Sequence, residues 1–381
     1  MAGAAQSQQT HAPHEMAPPP AASQLPRRWE GLLELNLRHL DTPSPDLPTL
    51  GLRETTPTGW LWGQSRAGIA FRPLPWLQLF ATQMYDDANG FMRDHTGVGL
   101  DVGHWRVKVG TLMPASGHPG LPAWALPSLF VQTVLGHEHW SDEGVTLDWH
   151  GDEAGFHIGH FTGSGYRGGT GTVRHPGMWE VGGQWGGDSF ALSVHGAHIE
   201  GIHRQVDRNA PHTHGPATAG CGTTTNCLAG STALMGMLVR WGDEGDGPWV
   251  ATALDWRREQ GTLESTLGKL NYRGDIAATA AEVGWGWPQG GMALRMEELG
   301  IVHRIGGANA TAVAYLLRID RGNFNPGRQG LRLAWRPSPR QTLALEGWRE
   351  RGDTPSHRVL GQWQLRLGTR QSHHHGGALP P

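Results

Sequence analysis

The stretch VTLDWHGDEAGFHIGHFTG, Val145 to Gly163, decides the fold. Apolar and polar residues alternate from Val145 to His150. A Gly151-Asp152-Glu153 break follows, and the alternation resumes from Ala154. Period-two alternation on both sides of a short polar break is the pattern of a β-hairpin. Val145, Leu147 and Trp149 share one face, while Asp148 and His150 share the other. Beyond the break, Phe156 and Ile158 stand opposite His157.

The same period runs outward in both directions. WEGLLELNLRHL places Leu33, Leu35 and Leu37 on one face and Glu34, Asn36 and Arg38 on the other. SFALSVHGAHIEG, LRLAWRPSPRQTLALEGWRE and HRVLGQWQLRLGTR repeat it. Between these runs, short polar breaks near 73–75, 103–105, 151–153, 186–188, 243–247, 274–275, 306–309 and 337–339 alternate with a second set. That set lies near 41–57, 86–96, 113–140, 163–175, 202–231, 260–263, 287–290, 320–328 and 351–356, and most of its members are long. Short turns at one end and long loops at the other are the pattern of an outer-membrane barrel. The expected fold is all-β: a closed antiparallel transmembrane β-barrel of about 18 strands, or 16 if 260–290 divides differently. Closure follows from the solvent, because hydrocarbon offers no partner to an unpaired strand edge.

Tryptophan supports this reading. Trp29, Trp76, Trp105, Trp149, Trp185, Trp241, Trp249 and Trp335 fall near the short-turn ends. Trp60, Trp62, Trp140, Trp179, Trp256, Trp285, Trp287 and Trp348 fall toward the others. Two aromatic belts suit the two interfaces of a bilayer. The chain has no apolar run of about 18 residues that would make a membrane helix, and its mean hydropathy is -0.43. A net charge of -3 argues against a nucleic-acid partner, which needs a basic face.

Three segments are expected: a His/Pro-rich lead over 1–28, a barrel over 29–369, and a His-rich tail over 370–381. Ala2-Gly3-Ala4 fits the small residues of a signal-cleavage site, so the chain is expected to start near one. Cys221 and Cys227 lie close together in AGCGTTTNCLAG, which reads as a local disulfide in an oxidising compartment.

The stretch WRVKVGTLMPASGH, Trp105 to His118, and the strand ends GVTL and GHFTGSG resemble bacterial outer-membrane porin-type barrels. The likeness extends more loosely to the phosphate-selective porin O/P group. That resemblance implies a passive pore in the bacterial outer membrane, with no catalytic residues and no required cofactor. It also implies a homotrimer, and a third outer loop, 113–140, that folds inward. Phosphate selectivity is not expected, since Lys108 and Lys269 are the chain's two lysines.

The expected partners are outer-membrane lipid and small polar solutes or ions. The inward faces place Asp101, Arg106, Lys108, Asp148, His150, His157, His195, Arg240 and Asp255 along the pore, where charged rings set ion selectivity. His137 and His139, and His212 and His214, form HxH pairs in outer loops. Alternate residues of an extended segment point the same way, so each pair can share a Zn²⁺ or Cu²⁺. Divalent metal passage is the finer expectation. A scaffold barrel that holds a partner protein for electron transfer or metal sensing is the alternative.

Overall fold

The computed structural model describes residues 29–41, 58–63, 65–87, 90–112, 142–151, 153–162, 177–187, 189–206, 221–242, 247–320, 325–351 and 356–368. Its strands are β1 (Trp29–Leu40), β2 (Gly59–Trp62), β3 (Ser65–Leu74), β4 (Leu77–Asp86), β5 (Gly90–Val102) and β6 (Trp105–Leu112). There follow β7 (Asp142–His150), β8 (Ala154–Phe161), β9 (Met178–Gly186), β10 (Phe190–Gln205), β11 (Cys227–Gly242) and β12 (Gly247–Ser265). The last are β13 (Gly268–Trp287), β14 (Gly290–Gly306), β15 (Gly327–Ser338), β16 (Gln341–Arg351) and β17 (Ser356–Gly368). A short helix α1 (Ala310–Leu316) lies between β14 and β15.

Each strand from β3 onward pairs antiparallel with the next, and β1 pairs with β3 on one side and β17 on the other. The sheet therefore has no edge, which is the condition for standing in hydrocarbon. β2 pairs with β1 and extends β3 across a one-residue register shift. The wall is thus a closed 16-strand barrel with one extra short strand.

The expected count of about 18 gives way to its stated alternative, 16, because two expected breaks are replaced by the single turn between Ser265 and Gly268 and one expected strand is a helix. The breaks read at 260–263 and 274–275 are not breaks, because β12 and β13 run straight through them. Gly274 is a packing glycine: a Cβ there would lie 2.3 Å from the Tyr272 hydroxyl, so the ring fills the gap. Residues 310–316, counted as strand, form α1. The alanine-rich run favours a helix, and a helix puts Val313 and Leu317 on one face. The connection at 287–290, taken as one of the outer set, is a tight turn between β13 and β14.

The outward face is apolar and exposed. It carries Ile69, Leu79, Val98, Val109, Val145, Val194, Met237, Leu254, Leu294, Leu333 and Leu345. Exposed Trp29, Trp76, Trp105, Trp185, Trp241 and Trp335 mark the short-turn end, and Trp60, Trp62 and Trp179 the other. Trp285 and Trp287 belong to the short-turn belt instead, beside the β13–β14 turn. Trp249 and Trp348 leave the belts altogether. They alternate with the apolar outward row, face inward and are buried. Such an apolar jacket has no place in water at this scale, since a soluble surface rarely exposes a contiguous patch beyond a few hundred Å².

The wall is uneven in height. β6 and β8 have 8 residues each, close to the minimum for crossing. β12 has 19 and β13 has 20, so about half of each stands above a band crossed in about 10 residues.

Candidate functional site: the barrel interior

Asp101, Arg106, Lys108, Asp148, His150, His157, His195, Arg240 and Asp255 all sit on the strand face opposite the exposed apolar row. The structure divides them among three groups.

The first lines β3 to β9. Asp101 accepts a hydrogen bond from Arg72 Nη1 at 2.9 Å and is clasped by Arg106. Asp148 pairs with Lys108 Nζ at 3.1 Å and with His157 Nδ1 at 2.5 Å. His157 Nε2 reaches Glu180 Oε1 at 2.5 Å. Both ring nitrogens of His157 are thus engaged by carboxylates. The His157 imidazole of the opening hairpin is a cross-link between β7, β8 and β9. His150 lies on the same face at the short-turn end of β7 and is exposed.

The second lies on β10 to β12. His195 Nε2 stands 3.7 Å from Asp255 Oδ1, and Arg240 faces inward on β11 opposite Ala251. Asp255, Arg257 and Glu259 follow one another up β12, and each is at most 1% exposed.

The third group escaped the sequence reading. It is a ladder of arginine and glutamate on β13 to β17. Arg295 Nη2 meets Glu282 Oε2 at 2.8 Å, and Arg332 Nη2 meets Glu282 Oε1 at 3.4 Å. Arg328 Nε meets Glu297 at 3.4 Å, Arg332 Nη1 meets Glu346 at 3.7 Å, and Arg358 Nε meets Glu350 at 2.8 Å. Trp348 lies flat among them. Arg328 stacks 3.5 Å from its ring centre, its indole N–H donates to Glu346 at 2.9 Å, and Gly330 leaves room for the ring beneath. Guanidinium over indole is a favourable cation–π pairing. The signal for this ladder was available: Glu346, Trp348 and Glu350 alternate with Leu343, Leu345 and Gly347. Reading Trp348 as a belt residue concealed it.

Above the arginine–glutamate ladder, and level with Asp255 and Arg257 on β12, the inner face of β13 and β14 turns apolar. Leu238, Ala253, Ile276, Ala278, Leu299 and Ile301 form one buried cluster. Higher still, Leu228, Leu263, Leu270 and Tyr272 are covered by Val313 and Leu317 of α1 and its C-terminal end and by Ile319. Asn309 Nδ2 ties the start of α1 to the Leu267 carbonyl at 3.0 Å. Beside them Cys221 and Cys227 form a disulfide. His203 lies near both sulfurs, and it is the group among the described residues compact enough to hold a metal. Disulfide sulfur is not thiolate, however, and thiolate is the ligand form. His137, His139, His212 and His214, and the third loop 113–140, lie outside the described residues.

No family model matches the chain, and no curated protein matches it either. Solved structures do. A loop-deletion mutant of OmpT, an outer-membrane protein of Vibrio cholerae, superposes with a TM-score of 0.57 at 12% identity, over 89% of this chain and 98% of that one. The outer-membrane channel DcaP of Acinetobacter baumannii gives 0.55 at 9% identity, over 89% and 96%. OprB of Pseudomonas putida gives 0.53 at 8%, over 89% and 93%. At such identities the likeness is one of fold. The fold class is the bacterial outer-membrane β-barrel, and the apolar jacket places this chain in that membrane.

Proposed function

We propose that the chain is a passive channel for small polar solutes or ions across the outer membrane. The observation that carries this reading is the inner wall, where charges of both signs are held in fixed pairs around a closed barrel. Paired charges line a polar path without a strong field of one sign, so weak selectivity is expected. Asp101, Arg106, Lys108, Asp148, His150, His157, His195, Arg240 and Asp255 are the proposed lining, extended by Arg328, Arg332 and Glu346. No enzymatic role is proposed: both nitrogens of His157 are engaged by the carboxylates of Asp148 and Glu180. OmpT has been seen as a trimer, and a trimer is proposed here by analogy.

The test is single-channel conductance of the refolded barrel in a planar bilayer. Stable ohmic steps with weak ion preference are expected. Absence of steps from a demonstrably folded barrel would overturn the reading. It would favour the scaffold alternative. Micromolar Zn²⁺ in the same cell tests the metal-selective version, which draws on His150, His195 and the outer HxH pairs. Conductance indifferent to Zn²⁺ would remove it.

A further inference from the structure

On the rim that stands above the membrane band, the outward face of β12 to β14 carries a cluster of guanidinium groups. Arg258 follows Trp256 by one outward step on β12, with its guanidinium 4.7 Å from the indole centre. Arg258 Nε bonds Asp275 Oδ1 at 2.7 Å, and Arg273 Nε bonds Asp275 Oδ2 at 3.0 Å. One carboxylate therefore serves two arginines. Arg273 also sits directly opposite Arg304 in the β13–β14 register. Like charges directly opposite each other destabilise a sheet. Among the described residues no carboxylate is bonded to Arg304. Among the described residues the cluster thus sets three guanidinium groups against the one carboxylate of Asp275 and carries excess positive charge.

Its height decides what can supply a counter-ion. Pro248 begins the outward row at the foot of β12. Ten residues of tilted strand from there to Arg258 rise about 25 Å, the height of the apolar band. Arg258 stands at the top of the hydrocarbon, and Arg273 and Arg304 stand one or two steps higher. That is the headgroup layer, which extends several ångströms beyond the hydrocarbon on each side. Trp256 beneath fits the same interface.

We propose that Arg258, Arg273 and Arg304 form a binding site for the phosphate groups of an outer-leaflet lipid, whose acyl chains lie against the apolar wall below. Arginine suits this task because its planar fork presents paired donors to phosphate oxygens. The phosphate takes the position between Arg273 and Arg304 and removes their repulsion.

The test uses the full chain folded in neutral detergent and titrated with bis-phosphorylated lipid A, followed by native mass spectrometry. The wild type is expected to retain lipid, and R273Q/R304Q to lose at least tenfold in apparent affinity. R273K/R304K keeps the charge and is expected to fall between the two. Binding should weaken as salt rises, and dephosphorylated lipid A should not be retained. Equal retention by R273Q/R304Q, or of the dephosphorylated lipid, would overturn the proposal. Inorganic phosphate at 10 mM, roughly a lipid-free phosphate excess, should fail to displace the lipid. Displacement would overturn the lipid assignment in favour of a free anion. Without lipid, R304Q should leave the thermal unfolding midpoint unchanged or raise it, because it relieves a like-charge pair. A clear fall would show that Arg304 is merely structural and would count against the site.

Discussion

The wall of β12 and β13 at membrane height and the rim that continues the same strands obey one alternation with opposite sense. At membrane height Leu254 and Val283 face out and are exposed, while Asp255 and Glu282 face in and are buried. Higher up, Arg258 and Arg273 face out, while Leu263, Leu270 and Tyr272 face in beneath α1. The backbone has not changed; its surroundings have. Below, the outside is hydrocarbon and polar groups collect inside. Above, the outside is headgroups and water, and the strands bury their apolar side against a helix as a soluble sheet would. One hairpin is therefore a membrane element in one half and a soluble element in the other.

Four perturbations sharpen this contrast. The largest effect is expected at membrane height, where R332L strips a buried guanidinium from Glu282 and Glu346. Removing one partner of a buried ion pair costs about 3–5 kcal/mol, to be read from urea unfolding in detergent. A loss below about 1 kcal/mol would mean that the ladder is hydrated. On the rim, L317A should cost about 2–3 kcal/mol of local packing. Here the loss should appear as faster amide exchange over α1 and the top of β13, with the membrane portion unaffected. Uniform loss of protection along β13 would break the division into two halves. Replacing both cysteines, C221S/C227S, opens a short loop and should cost about 2 kcal/mol by loop-closure entropy, again confined to the rim. Least affected is the exposed pair Arg351–Glu298, 3.1 Å apart. R351Q should change stability by less than about 1 kcal/mol, measured in the same unfolding series.

Much of this was legible from residue order. Alternation located most of the wall, and the outward parity of Val145, Leu147 and Phe156 put Asp148 and His157 inside. The strand count went astray where glycine had two meanings. Gly274 reads as a turn on paper, but in the barrel it is a gap for the Tyr272 ring, which only the folded neighbour reveals. Residues 310–316 alternate weakly, and the choice of helix depends on an inner wall, Leu228 and Leu263, distant in sequence. Trp348 shows the converse error. A tryptophan in a barrel strand suggests an interface, yet its parity with Glu346 and Glu350 placed it inside among the arginines. Glu180, which holds the second nitrogen of His157, stands 23 residues on, across the seam to the neighbouring strand β9, and residue order alone does not reveal that reach.

The seam between β1 and β17 has a consequence for assembly. Leu32 pairs with Gly368 and Leu40 with Leu360, so the ring is sealed by the first and last strands of the described wall. A wall lacking either β1 or β17 would be an open sheet with two unpaired edges, and no shorter piece can close on itself in this register. The contact of greatest sequence separation must form last, although its entropic cost grows only with the logarithm of the loop it closes. Until then the chain needs something to shield its edges from other copies of itself. Closure of this wall therefore waits on its final strand.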